Sequence, residues 1–389
     1  MVVKKFDECN VPVKMWIDNV EEGAMKQLKR CASLPFVFSH VVACPDIHPG
    51  IGISIGTVLA TKDVIVPNAI GSDIGCGMCA IQTSLTSLNL PDLKKIMGEI
   101  RKKIPVGFKK QEKPQNPILM PITPFGNVTI LYQEVKNSLL SLGTLGGGNH
   151  FIEIQKGSDG FIWIMVHSGS RNLGKRIADH YNKLAVELNQ KWYSSIPKEW
   201  ELAFLPIDSK EGQAYIDEMQ YAVKFALANR KLMMTQIIDS MKEVLKTEFQ
   251  EYDFINIAHN YARLENHFGT NVWVHRKGAT SAKKDEIGII PGSQGTKSYI
   301  VKGKGNIESF ESCSHGAGRL MSRNKAKTDL VLADEIKRLD SQGIVHGIRT
   351  VEDLDEASGA YKDISVVMEN QKDLVDIQVE LTPLAVIKG

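Results

Sequence analysis

Glycine recurs beside potential metal-ligating side chains throughout this sequence, and this pattern restricts the fold more than any other feature. Glycine lets the backbone adopt positive φ and approach an ion or a phosphate closely. So many of these segments in one chain are hard to attribute to packing alone, and the sequence therefore predicts a functional site built on loops. Seven segments hold nearly all of these glycines and polar side chains: 46–52, 71–79, 146–153, 166–171, 259–260, 291–295 and 313–319.

Hydrophobic periodicity predicts a mixed α and β architecture between those segments. The Pro-, Lys- and Gln-rich residues 107–125 predict a surface loop. We expect one α+β domain over residues 1–389, in which the helical segment 173–250 is a candidate insertion. Apolar spacing predicts helices over 90–103, 173–192 and 220–249, and β-branched runs predict strands over 64–66, 161–166, 272–274 and 299–301.

Composition restricts the compartment and the mode of nucleic-acid binding. The chain has 389 residues and a formal net charge of +2, so any nucleic acid must be held by a local basic patch. Its six cysteines are sparse and lack framework spacing, which favours a reduced cytoplasmic compartment. The amino terminus has no apolar segment typical of a signal peptide, and no uncharged apolar run is long enough to span a membrane.

The best candidate metal ligands are Asp73, Cys76, His150, His167 and His259. Together they offer a carboxylate, a thiolate and three imidazoles, enough for a site with one or two metals. Each has a plainer reading, as a turn aspartate, a buried free cysteine or a structural histidine at the end of an apolar strand. By softness this set suits zinc at least as well as manganese, so the ligand types alone leave the metal open.

Three familiar motifs can be weighed against this metal-site interpretation. Cys76 and Cys79 form a C-x-x-C pair, but the surrounding glycines argue against the helix that a thioredoxin-like redox motif requires. The glycines of residues 50–56 depart from the G-x-G-x-x-G spacing of a dinucleotide-binding loop. No G-x-x-x-x-G-K-[ST] string occurs, which excludes a P-loop enzyme.

His315 lies in a segment suited to a nucleophile that carries a phosphoryl group. Small neighbours leave room for a substituent on the imidazole, and Arg319 follows four residues later, where it could meet phosphate oxygens. The alternative is a loop histidine hydrogen-bonded to Ser314 or to the backbone. The residue types alone leave both readings open.

In this order, the glycine-rich segments resemble those of the RtcB family of RNA ligases. The resemblance runs from about residue 46 to residues 387–389, which is most of the chain, and its motifs are highly specific. The matching strings are Asp-Ile-Gly-Cys-Gly-Met (73–78), Gly-Gly-Asn-His-Phe-Ile-Glu (147–153), His-Ser-Gly-Ser-Arg (167–171), His-Asn-Tyr (259–261), Pro-Gly-Ser-x-Gly (291–295) and Ser-His-Gly-Ala-Gly-Arg (314–319).

This resemblance implies a compact α+β fold with a two-metal cleft among glycine-rich loops, and a specific chemistry. The five candidate ligands would hold two Mn²⁺ ions, with Cys76 bridging, and His315 would take GMP from GTP. The enzyme would join RNA ends that carry a 3′-phosphate or 2′,3′-cyclic phosphate to 5′-hydroxyl ends. The guanylate pocket implied by the resemblance comprises Asn149, Glu153, Asn260, Pro291, Gly292, Ser293, Gln294, Ser298, Gly316, Ala317, Gly318, Tyr361 and Lys388.

The RNA-binding surface and the partners are less constrained by the sequence. We expect action as a monomer on broken RNA ends, without an accessory protein. A metal-dependent RNA-end phosphoesterase would need the ligands but neither His315 nor a GTP pocket, and a non-catalytic RNA-binding protein would need none of them. Candidate contacts to RNA phosphates are Lys109, Lys110, Lys113, Arg171, Arg319 and Arg323.

Overall fold

Two large sheets form the framework of the fold in the computed structural model, which describes residues 1–124 and 128–389. Residue 125 of the predicted loop 107–125 lies outside the described residues. The strands are β1 (Val2–Lys4), β2 (Val13–Met15), β3 (Val37–His48), β4 (Ile55–Thr61), β5 (Val64–Ile65), β6 (Gly77–Thr83), β7 (Phe151–Gly157), β8 (Ile162–Ser168), β9 (Leu205–Pro206), β10 (Glu251–Ala258), β11 (Asn260–His267), β12 (Thr270–Lys277), β13 (Ala279–Ser281), β14 (Ile287–Ile290), β15 (Ser298–Gly303), β16 (Ser312–Ser314) and β17 (Val375–Lys388).

Helices pack on these sheets, and the predicted α+β class is confirmed. In the described residues, no helix is both long and apolar enough to span a lipid bilayer. The helices are α1 (Glu22–Ala32), α2 (Leu90–Lys103), α3 (Thr129–Ser141), α4 (Leu173–Lys191), α5 (Lys210–Leu245), α6 (Arg323–Asp329), α7 (Leu332–Asp340) and α8 (Ile364–Asn370).

The seven-stranded sheet has the order β10-β6-β8-β7-β17-β15-β14, and each neighbouring pair is antiparallel. The six-stranded sheet has the order β1-β2-β3-β4-β12-β11, and only its β2–β3 pair is parallel. Strands β3 and β4 are antiparallel and no helix lies between them, whereas a dinucleotide-binding loop leads from a strand into a helix. The glycines of residues 50–56 therefore do not form a dinucleotide-binding loop.

Helix α2 shows why the helical prediction for residues 90–103 is confirmed to the residue. The Asn89 side chain caps its first turn by accepting from the Asp92 backbone N–H, and basic residues occupy its last turn. Leu93, Ile96 and Ile100 share one face and are buried against the seven-stranded sheet. Capping and burial thus favour the same helix limits.

The longest helix, α5, begins ten residues before the predicted start at residue 220. Ser209 caps it by accepting from the Gly212 backbone N–H, and Lys246 ends it in a left-handed conformation. Its buried residues contribute to two hydrophobic clusters, one with α4 and one with α2 and the seven-stranded sheet. The helix is therefore packed into the core, while an insertion across 173–250 stays a prediction.

Strand β17 has no counterpart among the sequence predictions, although it spans 14 residues in the middle of the large sheet. It pairs with β7 on one side and with β15 on the other. Charged and polar residues such as Asp376 and Glu380 interrupt its apolar pattern. Local periodicity therefore gave no strand signal there. The four strands that were predicted correspond to β5, β8, β12 and β15.

Candidate active site

The five candidate metal ligands meet where the ends of strands β6, β7, β8 and β10 come together. Asp73 and Cys76 lie on the turn before β6, and His150 immediately precedes β7. His167 is near the end of β8, and His259 lies between β10 and β11. The His259 backbone N–H donates to the Cys76 carbonyl at 2.8 Å, which fixes these two segments side by side.

These side chains form two groups of possible ligands that share Cys76. The first contains Cys76, His167 and His259, and the second contains Cys76, Asp73 and His150. The Cys76 Sγ lies 3.3 Å from His167 Nε2 and 3.4 Å from His150 Nε2. His150 Nε2 lies 3.4 Å from the Asp73 carboxylate. The predicted ligands are therefore all brought together, and the shared residue is the thiol.

The protonation pattern of the histidines fits a cation-binding cluster. His167 Nδ1 lies 3.0 Å from the Asn149 carbonyl, so this nitrogen carries the proton and Nε2 keeps its lone pair. His167 Nε2 in turn lies 3.1 Å from His259 Nε2. Two nitrogen lone pairs at that distance repel each other unless a proton or a metal ion lies between them. Burial raises the pKa of the Cys76 thiol and Asp73 raises it further, so a thiolate there also calls for a cation.

His315 lies beside this cluster and is oriented by a buried carboxylate. Its ring centroid is 4.7 Å from that of His259. The Nδ1 atom lies 2.6 Å from Asp46 Oδ2, which also accepts from the His315 backbone N–H at 3.1 Å. Asp46 is fully buried. This pairing keeps the proton on Nδ1 and leaves Nε2 as the nucleophilic atom.

The glycine at position 318 permits the close packing around Asp46. Gly318 has φ of +74°, and a Cβ at this position would overlap the Asp46 carbonyl oxygen. The His315 segment can therefore lie directly against strand β3 only because residue 318 has no side chain. In the Gly-Ala-Gly run after His315, this glycine has an identifiable structural role.

A cleft of about 820 Å³ opens in front of His315. Two predicted guanylate residues, Asn260 and Ser298, do not line it. The Asn260 side chain donates to the Asp73 carbonyl and accepts from the Gly278 backbone N–H. The Ser298 hydroxyl accepts a hydrogen bond from the backbone N–H of Gly292, a residue that does line the cleft. The predicted residues that do line the cleft are Asn149, Glu153, Pro291, Gly292, Ser293, Gln294, Gly316, Ala317, Gly318, Tyr361 and Lys388.

The cleft is lined by a buried carboxyl group, Glu153, and by a half-buried lysine, Lys388. Burial raises the pKa of Glu153 to about 8, against the opposing effect of Lys388. Burial likewise lowers the pKa of Lys388, while Glu356 and Glu153 oppose that shift. The cleft thus offers a polar contact point that is shielded from solvent.

The basic residues predicted to meet RNA lie in three different settings. Arg319 lines the cleft, but its donors are occupied by Glu356 and by the carbonyls of Asp355 and Met321. Arg323 pairs with Glu356 only through Nε at 2.6 Å and passes close to Gly148. Among the arginines that line the cleft, Arg323 therefore has the more available guanidinium.

The remaining RNA candidates do not line the cleft. Arg171 donates to the Thr144 hydroxyl and to the Gly107 carbonyl, each at 2.8 Å. Lys109, Lys110 and Lys113 are exposed on the loop that begins at this contact. Arg171 thus links the base of the loop to the segment that precedes His150, while the three lysines face solvent.

Sequence reasoning missed Asp46 as the partner of His315. Its motif, Asp-Ile-His-Pro-Gly, was visible, but the target of the carboxylate lies 269 residues away in the chain. His48 also lines the cleft; its Nδ1 is bonded to the Asp46 carbonyl at 2.8 Å. Glu356, which holds both arginines of the cleft, lies in no motif that the sequence displays.

A further group of possible ligands, Glu265, His267 and Glu311, lies away from the cleft. Both oxygens of Glu265 accept from the buried Arg276, at 2.6 and 3.0 Å, and one of them also contacts His267 at 3.0 Å. The charge of Glu265 is thus already balanced within the protein. We interpret this group as a structural ion-pair network.

Comparison with known proteins places the whole chain among one group of homologues. The sequence profile of the family described as "tRNA-splicing ligase RtcB" matches residues 27–120 and 127–389. The chain is 39% identical to RNA-splicing ligase RtcB of Escherichia coli strain K12, over 98% of both proteins. It is 31% identical to tRNA-splicing ligase RtcB of Methanococcus maripaludis, over 99% of this chain and 96% of that protein.

Proposed function

Because the chain belongs to the tRNA-splicing ligase RtcB family, we propose that it is a GTP-dependent RNA ligase. It would join RNA ends bearing a 3′-phosphate or 2′,3′-cyclic phosphate to 5′-hydroxyl ends. The observation that carries the proposal is the position of His315, which is held by buried Asp46 at the border of the cleft and the ligand cluster. A phosphoesterase would need the cluster but no such histidine.

In the proposed first step, His315 Nε2 attacks the α-phosphorus of GTP. A nitrogen–phosphorus bond forms as the bond to pyrophosphate breaks, and pyrophosphate leaves with the electron pair. Asp46 accepts a hydrogen bond from the Nδ1–H group throughout, and its negative charge stabilises the positive charge that develops on the imidazole ring. The product is a GMP–histidine intermediate, for which the small residues Gly316 and Ala317 leave space.

Two divalent cations would be held by the two ligand groups, of which Cys76 is the common member. When bound, Mn²⁺ would neutralise charge on the transferring phosphate and align the attacking and leaving groups. The five side chains are a mixed set that also suits zinc, so manganese is part of the proposal. The chain's own contribution is to fix the histidine tautomers, through the Asn149 carbonyl for His167.

The cleft wall would bind the guanosine part of the nucleotide. Guanine presents N–H donors, and a carboxyl group accepts hydrogen bonds whether or not it is protonated; Glu153 is a buried carboxyl group that lines the cleft. Lys388 supplies a nearby cation, and Tyr361 adds a phenol that donates to Glu356. Burial of Glu153 would strengthen its hydrogen bonds to a ligand.

Two RNA steps would complete the reaction. A 2′,3′-cyclic phosphate is first opened by water to a 3′-phosphate. A 3′-phosphate oxygen then attacks the phosphorus of the GMP–histidine and releases His315, which leaves RNA with a 3′-terminal diphosphate-guanosine. Finally the 5′-hydroxyl attacks the RNA phosphate, and GMP leaves as the phosphodiester forms. Arg323, which lines the cleft and pairs with Glu356 through Nε, would contact phosphate oxygens during these steps.

Incubation with Mn²⁺ and α-labelled GTP, followed by denaturing electrophoresis, tests the proposal. We expect label on the protein, and its transfer to RNA that ends in a 3′-phosphate. Loss of terminal phosphate from RNA without any labelled protein would favour the phosphoesterase instead. Binding of RNA with neither result would favour a non-catalytic RNA-binding protein.

The Asp46→Asn variant should form the protein–GMP adduct roughly 10²- to 10⁴-fold more slowly. The amide can turn its NH₂ group towards His315 Nδ1, which favours the tautomer that has its proton on Nε2. The rate of labelling with α-labelled GTP measures the effect. Asp363→Asn, which changes an exposed carboxylate at the start of α8, serves as the control. Equal rates in Asp46→Asn and in the unmodified protein would contradict the role given to Asp46.

Neutralising Lys109, Lys110 and Lys113 together should weaken RNA binding and reduce its salt dependence. Each contact to a backbone phosphate releases counterions, so fewer lysines give a shallower salt slope. RNA affinity measured at several salt concentrations tests this, and labelling by GTP should be unchanged. The matched control replaces three exposed lysines of α2, namely Lys94, Lys95 and Lys102. An equal loss of RNA binding and GTP labelling would show that the loop has a structural role.

A further inference from the structure

Arg230, in the middle of helix α5, is a fully buried arginine in contact with the ligand cluster's backbone. Its Nη1 atom donates to the carbonyls of Gly75 and Ser168, at 3.0 and 2.8 Å. Its Nη2 donates to the Ile257 carbonyl at 3.2 Å, and Nε donates to Asn256 Oδ1 at 2.8 Å. One guanidinium therefore donates hydrogen bonds to three separate chain segments.

Each of these three segments carries a candidate metal ligand. Gly75 precedes Cys76, Ser168 follows His167, and Ile257 lies two residues before His259. The three ligands are the members of one of the two groups that can hold an ion. The guanidinium thus fixes the spacing of the backbone segments from which the three ligand side chains extend.

The neighbouring residue of the helix extends this network to the other side of the cluster. Asn229 Nδ2 donates to the Ser168 hydroxyl and to the Gly169 and Thr144 carbonyls, at 3.1 to 3.2 Å. Its Oδ1 accepts from the Gly143 backbone N–H at 2.8 Å. Residues 143–144 begin the glycine-rich loop that leads to His150. Adjacent residues of α5 therefore connect to four of the segments around the cluster.

The charge of Arg230 makes a purely space-filling role costly. Within the described residues, no carboxylate lies within ion-pair distance of its guanidinium, whereas the other fully buried arginine, Arg276, is paired with Glu265. Burying an unpaired charge opposes folding, and an apolar side chain would fill the same volume without that cost. A buried arginine at this position is explained if the site requires the several N–H donors of its guanidinium.

We propose that Arg230 is a positioning residue that holds Cys76, His167 and His259 at the spacing that metal binding requires, with Asn229 extending the support to the His150 loop. The inference rests on the proposed function only for the identity of the ligands. Its consequence is that α5 is part of the metal site's support, although its sequence reads as an ordinary amphipathic helix. Outer residues of this kind tune metal affinity without contacting the ion.

Titration of metal-free protein with Mn²⁺ and with Co²⁺ tests the inference, because Co²⁺ absorption reports thiolate coordination and ligand geometry. Arg230→Met should lower the affinity about 10- to 100-fold and alter the Co²⁺ spectrum. Arg230→Lys keeps the charge but cannot reach three carbonyls at once, and we expect it to lose roughly tenfold. The control, Met233→Ala, removes a buried side chain one turn away and should lower the melting temperature while leaving affinity within about twofold.

Unchanged affinity and spectrum in either arginine variant would overturn the inference. Should Arg230→Met fail to fold, as judged by circular dichroism without metal, the lysine variant decides by itself. These readouts do not involve GTP or RNA. If the unmodified protein binds metal but never acquires label from GTP, the proposed function fails while the inference on Arg230 is still tested. If labelling occurs and both arginine variants bind metal normally, only the inference fails.

Discussion

Replacing His315 by alanine is expected to abolish the covalent protein–GMP adduct and all GTP-dependent ligation. The substitution removes the atom that attacks phosphorus, and the loss of a nucleophile typically reduces turnover by at least about 10⁴-fold, to background. Lysine is the alternative, since many nucleotidyl-transferring ligases form their adduct on lysine. An imidazole is largely unprotonated at neutral pH, whereas an ordinary lysine is almost wholly protonated. Labelling with α-labelled GTP measures the loss.

A second substrate separates the nucleophile from the rest of the site. RNA that already carries a 3′-terminal diphosphate-guanosine should still be joined by His315→Ala, because this last step uses the ligand cluster but not the nucleophile. His180→Ala, an exposed histidine on α4, is the matched control and should label normally. A persistent adduct in His315→Ala would contradict the mechanism and direct attention to Lys388, the lysine that lines the cleft.

Cys76→Ala is expected to eliminate guanylylation as completely as the loss of His315. The thiol is the only side chain that belongs to both ligand groups in the described residues. Without it, two cations would share no anion, and the charge repulsion between them would be uncompensated. Unlike His315→Ala, this variant should also fail on pre-activated RNA. Metal content and GTP labelling, measured on the same preparation, give the result.

Cys79 provides a close control for the Cys76 experiment. It is also buried and lies three residues later, on β6, but its Sγ contacts the Arg230 carbonyl at 3.8 Å and belongs to neither ligand group. Cys79→Ala should therefore retain labelling, as should Cys9→Ala near the amino terminus. Near-normal activity of Cys76→Ala in Mn²⁺ would refute the site assignment. An equal loss of GTP labelling in Cys76→Ala and Cys79→Ala would instead support the interpretation of the C-x-x-C motif as a redox pair.

Residues at glycine-rich turns were the part of the site that the sequence could predict. Asp73, Cys76, His150 and His315 are candidates because potential ligands recur beside glycine in several segments, and packing alone hardly explains that recurrence. Helix α2 was predictable for a related reason, since its cap and its apolar face are both local in sequence. In each case the signal lies within a few neighbouring residues.

Residues that act through distant partners could not be predicted. Arg230 lies on a helix whose sequence leaves open whether an arginine faces solvent or the core, and only the packing of α5 against the sheet decides this. Asp46 was visible in a motif, but its bond to His315 depends on the contact between β3 and the loop after β16. Asn260 and Ser298 show the converse, because both belong to the implied guanylate pocket but neither side chain lines the cleft.

The position of β17 in the sheet determines when during translation the cleft can be completed. This strand separates β10-β6-β8-β7, which lead to the ligand cluster, from β15 and β14 on the other side. A growing chain that has released only residues 1–374 contains every ligand and the nucleophile, but it has no strand to join the two parts and no Lys388. Because the ribosome adds residues in order, the early strands wait with exposed edges for a partner made much later. The strand order therefore leaves the edges of β7 and β15 without their native partner strand until residues 375–388 have been made.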